Sequence, residues 1–134
     1  MIEVVNFFQA MFMFTNAAPV SLKKPEVKLA VALKGEALEL AAVADEEMNN
    51  GRTTQTLSLE AQTSEKRRIF AEIAVWHHNR AAEKYTKAAA RFEEAGRVHI
   101  KKIHGFNAKA LEMRQRAAEA NAAVNALNEF LKQN

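Results

Sequence analysis

Cysteine is absent from this chain of 134 residues, and proline and glycine are scarce, with two and four copies. Without cysteine the protein has no disulfides, no thiolate metal ligands and no cysteine nucleophile. The few prolines and glycines leave few places for turns, and residues that favour strands never alternate over a useful length. The sequence therefore predicts an all-α protein, and its length fits a single helical domain, 1–134.

Motifs typical of catalytic and cofactor sites are absent as well. The chain has no glycine-rich phosphate loop, no GxGxxG fingerprint and no GxSxG nucleophile elbow. His77 and His78 are adjacent, so they point about 100° apart on a helix. His99 and His104 are five residues apart and also do not share a face. We predict no catalytic residues, no metal site and no cofactor, and therefore a protein that is not an enzyme.

Alanine is abundant instead, at about one residue in five. It is the strongest helix former because it loses no side-chain entropy on folding. Alanine contacts bury little area each, so a lone pair of such helices is weakly stabilised. We expect long alanine-rich helices that form a helical hairpin or bundle with coiled-coil-like packing, completed by a further helix or by self-association.

Proline, asparagine and glycine mark the expected boundaries of these helices. Pro25 suits the first turn of a helix, 49–51 (Asn-Asn-Gly) is a stop signal, and Ser58 or Ser64 is a candidate N-cap. The predicted segments are an apolar helix at 1–15, a linker at 16–24, a helix at 25–49, a polar loop at 50–63, a basic helix at 64–104 and a heptad-patterned helix at 107–132. Within 25–49, Leu29, Val31, Leu38 and Val43 widen the apolar face, which predicts cover on more than one side.

The first fifteen residues concentrate large apolar side chains. The candidate interaction residues there are Phe7, Phe8, Met11, Phe12 and Phe14. The segment is too short to span a bilayer and has no basic start, so we expect neither a transmembrane helix nor a signal peptide. One narrow polar stripe runs along it, as expected for a helix that is buried against its own chain or a sister subunit. An interfacial membrane anchor is the less favoured alternative, because the stripe lacks Lys and Arg.

A heptad repeat runs through the last third of the chain. Its largest members are Phe106, Met113, Val124, Leu127 and Leu131, with alanines between them. We call these residues the heptad seam and predict that they contact another helix. A similar pattern precedes it, and the spacing between the two lengthens near His99. Residues 64–132 are therefore either one long helix or, as we favour, a hairpin that turns at Gly105 and Asn107.

Two glutamates one turn apart follow the proline linker. The sequence "FFQAMFMF", the linker and Glu36-x-x-Glu39 together resemble the first half of all-α nucleotide pyrophosphohydrolases of the MazG kind. The resemblance implies a Mg²⁺ site completed by a Glu-x-x-Asp on a second helix. Glu72 stands at the first of those positions, but Val75 stands where the Asp should be. A degenerate enzyme of this kind is one alternative; a solvated acidic helix face is the other explanation of the pattern.

Basic residues cluster in the middle of the chain. Arg80, Lys84, Lys87 and Arg91 form one stripe at helical spacing, which we call the basic stripe. Such a stripe suits a phosphate backbone or an acidic partner, so a nucleic-acid-binding module is a second alternative. No base-reading motif accompanies it, and nearby glutamates offset part of its charge.

The whole pattern favours a structural protein that assembles by protein–protein interaction. The expected partners are further copies of the chain or other subunits of a larger complex. The sticky N-terminal helix, the stretch "LSLEAQ" and the long helices are similar in composition to small internal (ejection) proteins of short-tailed phage particles. We therefore expect a cytoplasmic location or one within a particle.

Overall fold

Residues 25–133 of the protein form three long helices. The computed structural model describes residues 25–133. These residues form α1 at Pro25–Glu60, α2 at Ser64–Val98 and α3 at Ile103–Gln133, with a 3-10 turn at Ile100–Lys102 before α3. The described range contains no strand, so the all-α prediction is confirmed. The predicted N-terminal helix and linker, with Phe7, Phe8, Met11, Phe12 and Phe14, lie outside the described residues.

Helix α2 is the centre of the arrangement. Helices α1 and α3 each pack along α2, while their backbones stay apart from one another. The chain reverses at both turns, so α2 and α3 form a hairpin and the hairpin prediction is confirmed over the single long helix. None of the helices within 25–133 carries an apolar stretch long enough to cross a bilayer.

The core consists mainly of alanine side chains from all three helices. The buried apolar residues are Ala30, Ala37, Ala41, Ala44, Met48, Ala71, Ala74, Ala81, Ala82, Tyr85, Ala88, Ala89, Phe92, Ala95, Ala110, Met113, Ala117, Ala120, Val124 and Leu127. Small side chains let helix backbones approach closely, and a few large ones fill the space that remains. Phe92 is one of these large side chains, and its ring stacks on that of Phe106 with 6.5 Å between the centroids.

The heptad seam is used within the chain. Met113, Val124 and Leu127 are buried, and Phe106 and Leu131 are partly buried. Leu127 belongs to a small apolar cluster between α2 and α3, and Met113 belongs to the main core that includes residues of α1. These side chains are therefore buried or partly buried within the molecule rather than lying free for a partner.

The predicted loop at 50–63 is wrong, because α1 continues to Glu60. Gly51 does not end the helix; it is buried on the face that packs against α2. Thr54 donates a hydrogen bond to the carbonyl of Asn50, and Ser58 donates one to the carbonyl of Arg67 on α2. The buried face of α1 therefore continues through small polar residues that resemble a loop in the sequence.

The predicted N-cap is also one position off. Neither Ser58 nor Ser64 caps α2; Thr63 does, and its hydroxyl accepts a hydrogen bond from the backbone N–H of Lys66. The hydroxyl of Ser58 is already engaged with α2, so it is not available as a cap.

The turn between the last two helices lies earlier than predicted. Helix α2 ends at Val98 rather than at 104, and α3 begins at Ile103 rather than at 107. Gly105 and Asn107 lie inside α3, and Gly105 adopts no positive φ. The lengthened spacing of apolar residues near His99 was the better signal, since His99 is the C-cap of α2.

Candidate interaction surfaces

The basic stripe lies against acidic residues of α1. Arg80 Nε is 2.7 Å from Glu47 Oε2, and Arg91 Nε is 2.8 Å from Glu36 Oε1. On α2 itself, Lys87 Nζ is 3.4 Å from Glu83 Oε2. Three of the four residues of the basic stripe therefore have carboxylate partners. Much of the positive potential that would attract phosphate groups is neutralised.

Glu47 is the hub of this ionic contact. Its side chain is 13% exposed, and its other oxygen lies 2.6 Å from His77 Nδ1. Arg80 also lies over the ring of Trp76, with 4.9 Å from its guanidinium carbon to the ring centroid. Burial acts to raise the pKa of Glu47, but the hydrogen bonds from Arg80 and His77 outweigh burial and hold that pKa below its usual value. This cluster joins the middle of α1 to α2.

We expect Glu47→Gln to lower the free energy of unfolding by about 1–2 kcal/mol, because two partners lose a charge-assisted hydrogen bond at once. Glu46→Gln is the matched control, since Glu46 is the exposed neighbour on the same helix. Urea unfolding of both variants at neutral pH gives the comparison. Equal stability of the two variants would contradict a structural role for the Glu47 cluster.

A second polar cluster links all three helices. The Tyr85 hydroxyl donates a hydrogen bond to Asp45 Oδ1. Arg116 of α3 reaches the same oxygen at 3.5 Å and also bonds Glu112 at 2.6 Å. Burial and the Asp45 carboxylate raise the pKa of Tyr85 well above its usual value, so the hydroxyl stays protonated and donates. Tyr85 therefore acts here as a tie between α1, α2 and α3.

The carboxylates suggested by the pyrophosphohydrolase resemblance do not come together. Glu36 binds Arg91 near the far end of α2, while Glu72 lies 3.7 Å from Arg68 near its start. Positions 72 and 91 are separated by roughly 28 Å along the helix. Across residues 25–133 no three His, Asp or Glu side chains are grouped so that they could hold a metal ion.

Within residues 25–133, one buried polar side chain has no hydrogen-bond partner. His78 is 1% exposed, and neither of its ring nitrogens is hydrogen-bonded. The ring lies directly against the Cα of Gly51 on α1, where an added Cβ would come within 2.7–2.9 Å of its atoms. Burial lowers the pKa of His78, and the positive charges of Arg52 and His77 add to that effect. The uncharged ring therefore packs between α1 and α2.

A groove runs between α1 and α3 at the end of the bundle where α1 begins. Its volume is about 430 Å³. Val27, Val31 and Leu38 form its α1 wall, Phe106 forms the α3 wall, and Phe92 of α2 lines its floor. Val31 and Leu38 are 49% and 50% exposed. The remaining lining residues are Ala30, Lys34, His99, Lys102, Gly105 and Lys109. We call this feature the α1–α3 groove.

Another apolar surface lies on α2. Ile69, Ile73 and Trp76 recur at helical spacing and are all exposed, Trp76 by 55%. We call these three residues the α2 patch. The patch precedes the basic stripe along the same helix, so one side of α2 changes from apolar to charged partway along its length.

The α1–α3 groove was signalled by the sequence in part. The widened apolar face of α1 predicts cover on more than one side, yet Leu29, Val31, Leu38 and Val43 are all exposed in the described residues. The sequence did not predict the α2 patch, because the repeat of apolar residues marks the opposite side of α2 as the packing face. The buried His78 was missed because an adjacent His-His pair resembles solvated surface.

Comparisons with protein-family models, with curated proteins and with solved structures found no match to this chain.

Proposed function

We propose that the protein is a non-enzymatic helical assembly protein that acts by protein–protein contact, primarily with further copies of itself and otherwise as a subunit of a larger complex. The observation that carries this proposal is the amount of large apolar surface left uncovered on a body whose core is mostly alanine. Contiguous exposed apolar side chains on a folded domain mark sites of association. The α2 patch, Ile69, Ile73 and Trp76, is the contact we assign to self-association.

The composition of this patch fits a protein contact. Tryptophan and arginine are enriched among residues that dominate binding energy, and Trp76 lies under the guanidinium of Arg80. The Trp76 ring also meets His77 edge-on at 4.9 Å between centroids. The ring is therefore held in place before any partner arrives, which lowers the entropy cost of binding.

The ionised groups support the same proposal. Three carboxylates of α1 each bind an arginine from another helix, namely those of Glu47, Asp45 and Glu36. Their charges therefore join helices together. The same proposal includes coiled-coil-like packing of α3 on α2. A phage particle is one setting in which such an assembly protein could act. We do not propose nucleic-acid binding as a second function, because most of the basic stripe is already paired with carboxylates.

Light scattering over a wide range of protein concentration tests this proposal. The full chain is expected to show masses above the 15.0 kDa of one copy. Ile73→Glu places a charge in the α2 patch and should raise the dissociation constant at least tenfold, about 1.4 kcal/mol. Leu111→Glu is the matched control, since Leu111 is exposed on α3 outside the patch. A monomer at every concentration, or equal effects of the two variants, would remove the proposal.

A further inference from the structure

The α1–α3 groove is wide open in the described residues, although its walls are apolar. We propose that this groove is covered by the apolar N-terminal segment of the same chain, residues 2–16, lying as a helix between α1 and α3. This assigns the segment a place within its own molecule, and it does not depend on the α2 patch or on self-association.

The chain enters the described structure at the mouth of the groove. Pro25 begins α1, and Val27, two residues on, already lines the groove. The eight residues 17–24 can span at most about 26–29 Å. A helix of fifteen residues is roughly 22 Å long, and the α1 wall from Val27 to Leu38 extends over roughly 16 Å. The segment can therefore fold back beside α1 and fill the groove.

The packing of the three helices leaves room for a fourth. Helices α1 and α3 both pack along α2 while their backbones stay apart, so the groove is bordered by two helices and floored by the third. A helix placed there would contact α1 and α3 at once and complete a four-helix arrangement around one core. Its large side chains would cover Val31, Leu38 and Phe106, which the alanine-rich helices leave exposed or half-exposed.

The charges of the groove and of the segment are compatible. Lysines border the groove on both sides, namely Lys34 on α1 and Lys102 and Lys109 at the α3 side. Residues 2–16 contain no lysine or arginine, and their single charged side chain is Glu3. No like charges therefore oppose docking, and the polar stripe of the segment can face the solvent between the lysines.

The tether favours the segment of the same chain over one from a neighbour. A short tether of eight residues gives its attached segment an effective concentration in the millimolar range. A second copy at ordinary solution concentrations offers the same segment at a far lower concentration. In dilute solution, docking of the segment in the groove of its own molecule is therefore favoured over docking in the groove of a second copy.

Paramagnetic relaxation measured by NMR tests the proposal on the full chain. The absence of cysteine allows a single nitroxide to be attached at Lys34→Cys, on the edge of the groove. We expect the label to broaden the amide signals of residues 2–16 severalfold more than the same label at Glu65→Cys. Glu65 is the matched control because it is exposed in the first turn of α2, near the opposite end of the bundle.

Mixing labels separates one molecule from two. In a mixture of isotope-enriched chains without nitroxide and unenriched chains carrying it, cover within one molecule gives no broadening of residues 2–16. Broadening in the mixture alone would mean that a second copy covers the groove, and no difference between the Lys34 and Glu65 labels would mean that the segment lies elsewhere. Either result overturns the proposal, whereas the oligomer mass from light scattering bears only on self-association.

Discussion

Replacement of Gly51 by alanine is expected to lower the free energy of unfolding by about 2–3 kcal/mol, as overpacking of a filled core does. The new Cβ would lie 2.7 Å from His78 Cε1 and 2.8 Å from Nε2. Cβ atoms in proteins essentially never lie this close to another heavy atom, so either the two helices must separate or the imidazole must move. The ring is 1% exposed and enclosed by neighbouring helices, which leaves it little room to move.

The same substitution at Gly35 is expected to act in the opposite direction. A Cβ at Gly35 meets nothing within 4 Å, and the residue lies inside α1 on an exposed face. Alanine in a helix interior is more stable than glycine by about 0.5–1 kcal/mol. Urea unfolding of the two variants should therefore give changes of opposite sign at two glycines of one helix.

A double substitution isolates the cause. In Gly51→Ala with His78→Ala the ring that collides with the new methyl group is gone, so the combined loss should be smaller than the sum of the two single losses. Strict additivity would mean that the Gly51 position is sensitive for a reason other than contact with His78. Stabilisation by Gly51→Ala alone would contradict the tight contact between α1 and α2 altogether.

Acidification is expected to destabilise the protein through His78 at pH values above those at which the carboxylates of the protein are protonated. The unfolded chain binds a proton at the usual histidine pKa of about 6.5. In the folded protein burial lowers the pKa of His78, with Arg52 and His77 contributing repulsion. Between the two pKa values the unfolded state therefore binds more protons than the folded state, and stability falls as the pH drops from the usual histidine pKa toward the lower pKa of the folded state. Above the usual pKa the full stability is present.

Urea unfolding at several pH values between about 5 and 7 measures this effect. His78→Leu should flatten the profile, since a leucine of similar volume has no proton to bind. His104→Leu is the matched control, because His104 is exposed on α3 and its removal should leave the slope unchanged. A flat profile in the unmodified protein, or an equal change in both variants, would show that burial of His78 does not govern the acid response.

The helices and their buried faces could be predicted because alanine at spacings of three and four carries that information within a single helix. Ala37, Ala44 and Met48 of α1 and Tyr85 and Phe92 of α2 are buried as their spacing indicates. The end of α1 could not be predicted in the same way. Gly51, Thr54 and Ser58 face α2, and what makes them suitable there is His78 and the Arg67 carbonyl on the other helix. A small polar residue acquires that meaning only once the register between two helices is known.

The candidate surfaces show the same limit. The positions of the basic stripe on one face of α2 followed from spacing alone. Its partial neutralisation did not, because Glu36 and Glu47 of α1 are more than thirty positions away in the sequence from the arginines they bind. The α2 patch is visible in the sequence as three apolar residues at spacings of four and three, but only the structure shows that neither α1 nor α3 covers it.

The central position of α2 has a consequence for how the chain reaches its native state. Backbone packing joins α1 to α2 and α2 to α3, each across a turn of a few residues, while the backbones of α1 and α3 stay apart. Each pair of helices is thus a neighbouring hairpin, so loop-closure entropy is small and no distant segments have to find one another first. Such a topology belongs with rapid folders, and it allows an outer helix to come away while the remaining hairpin stays formed.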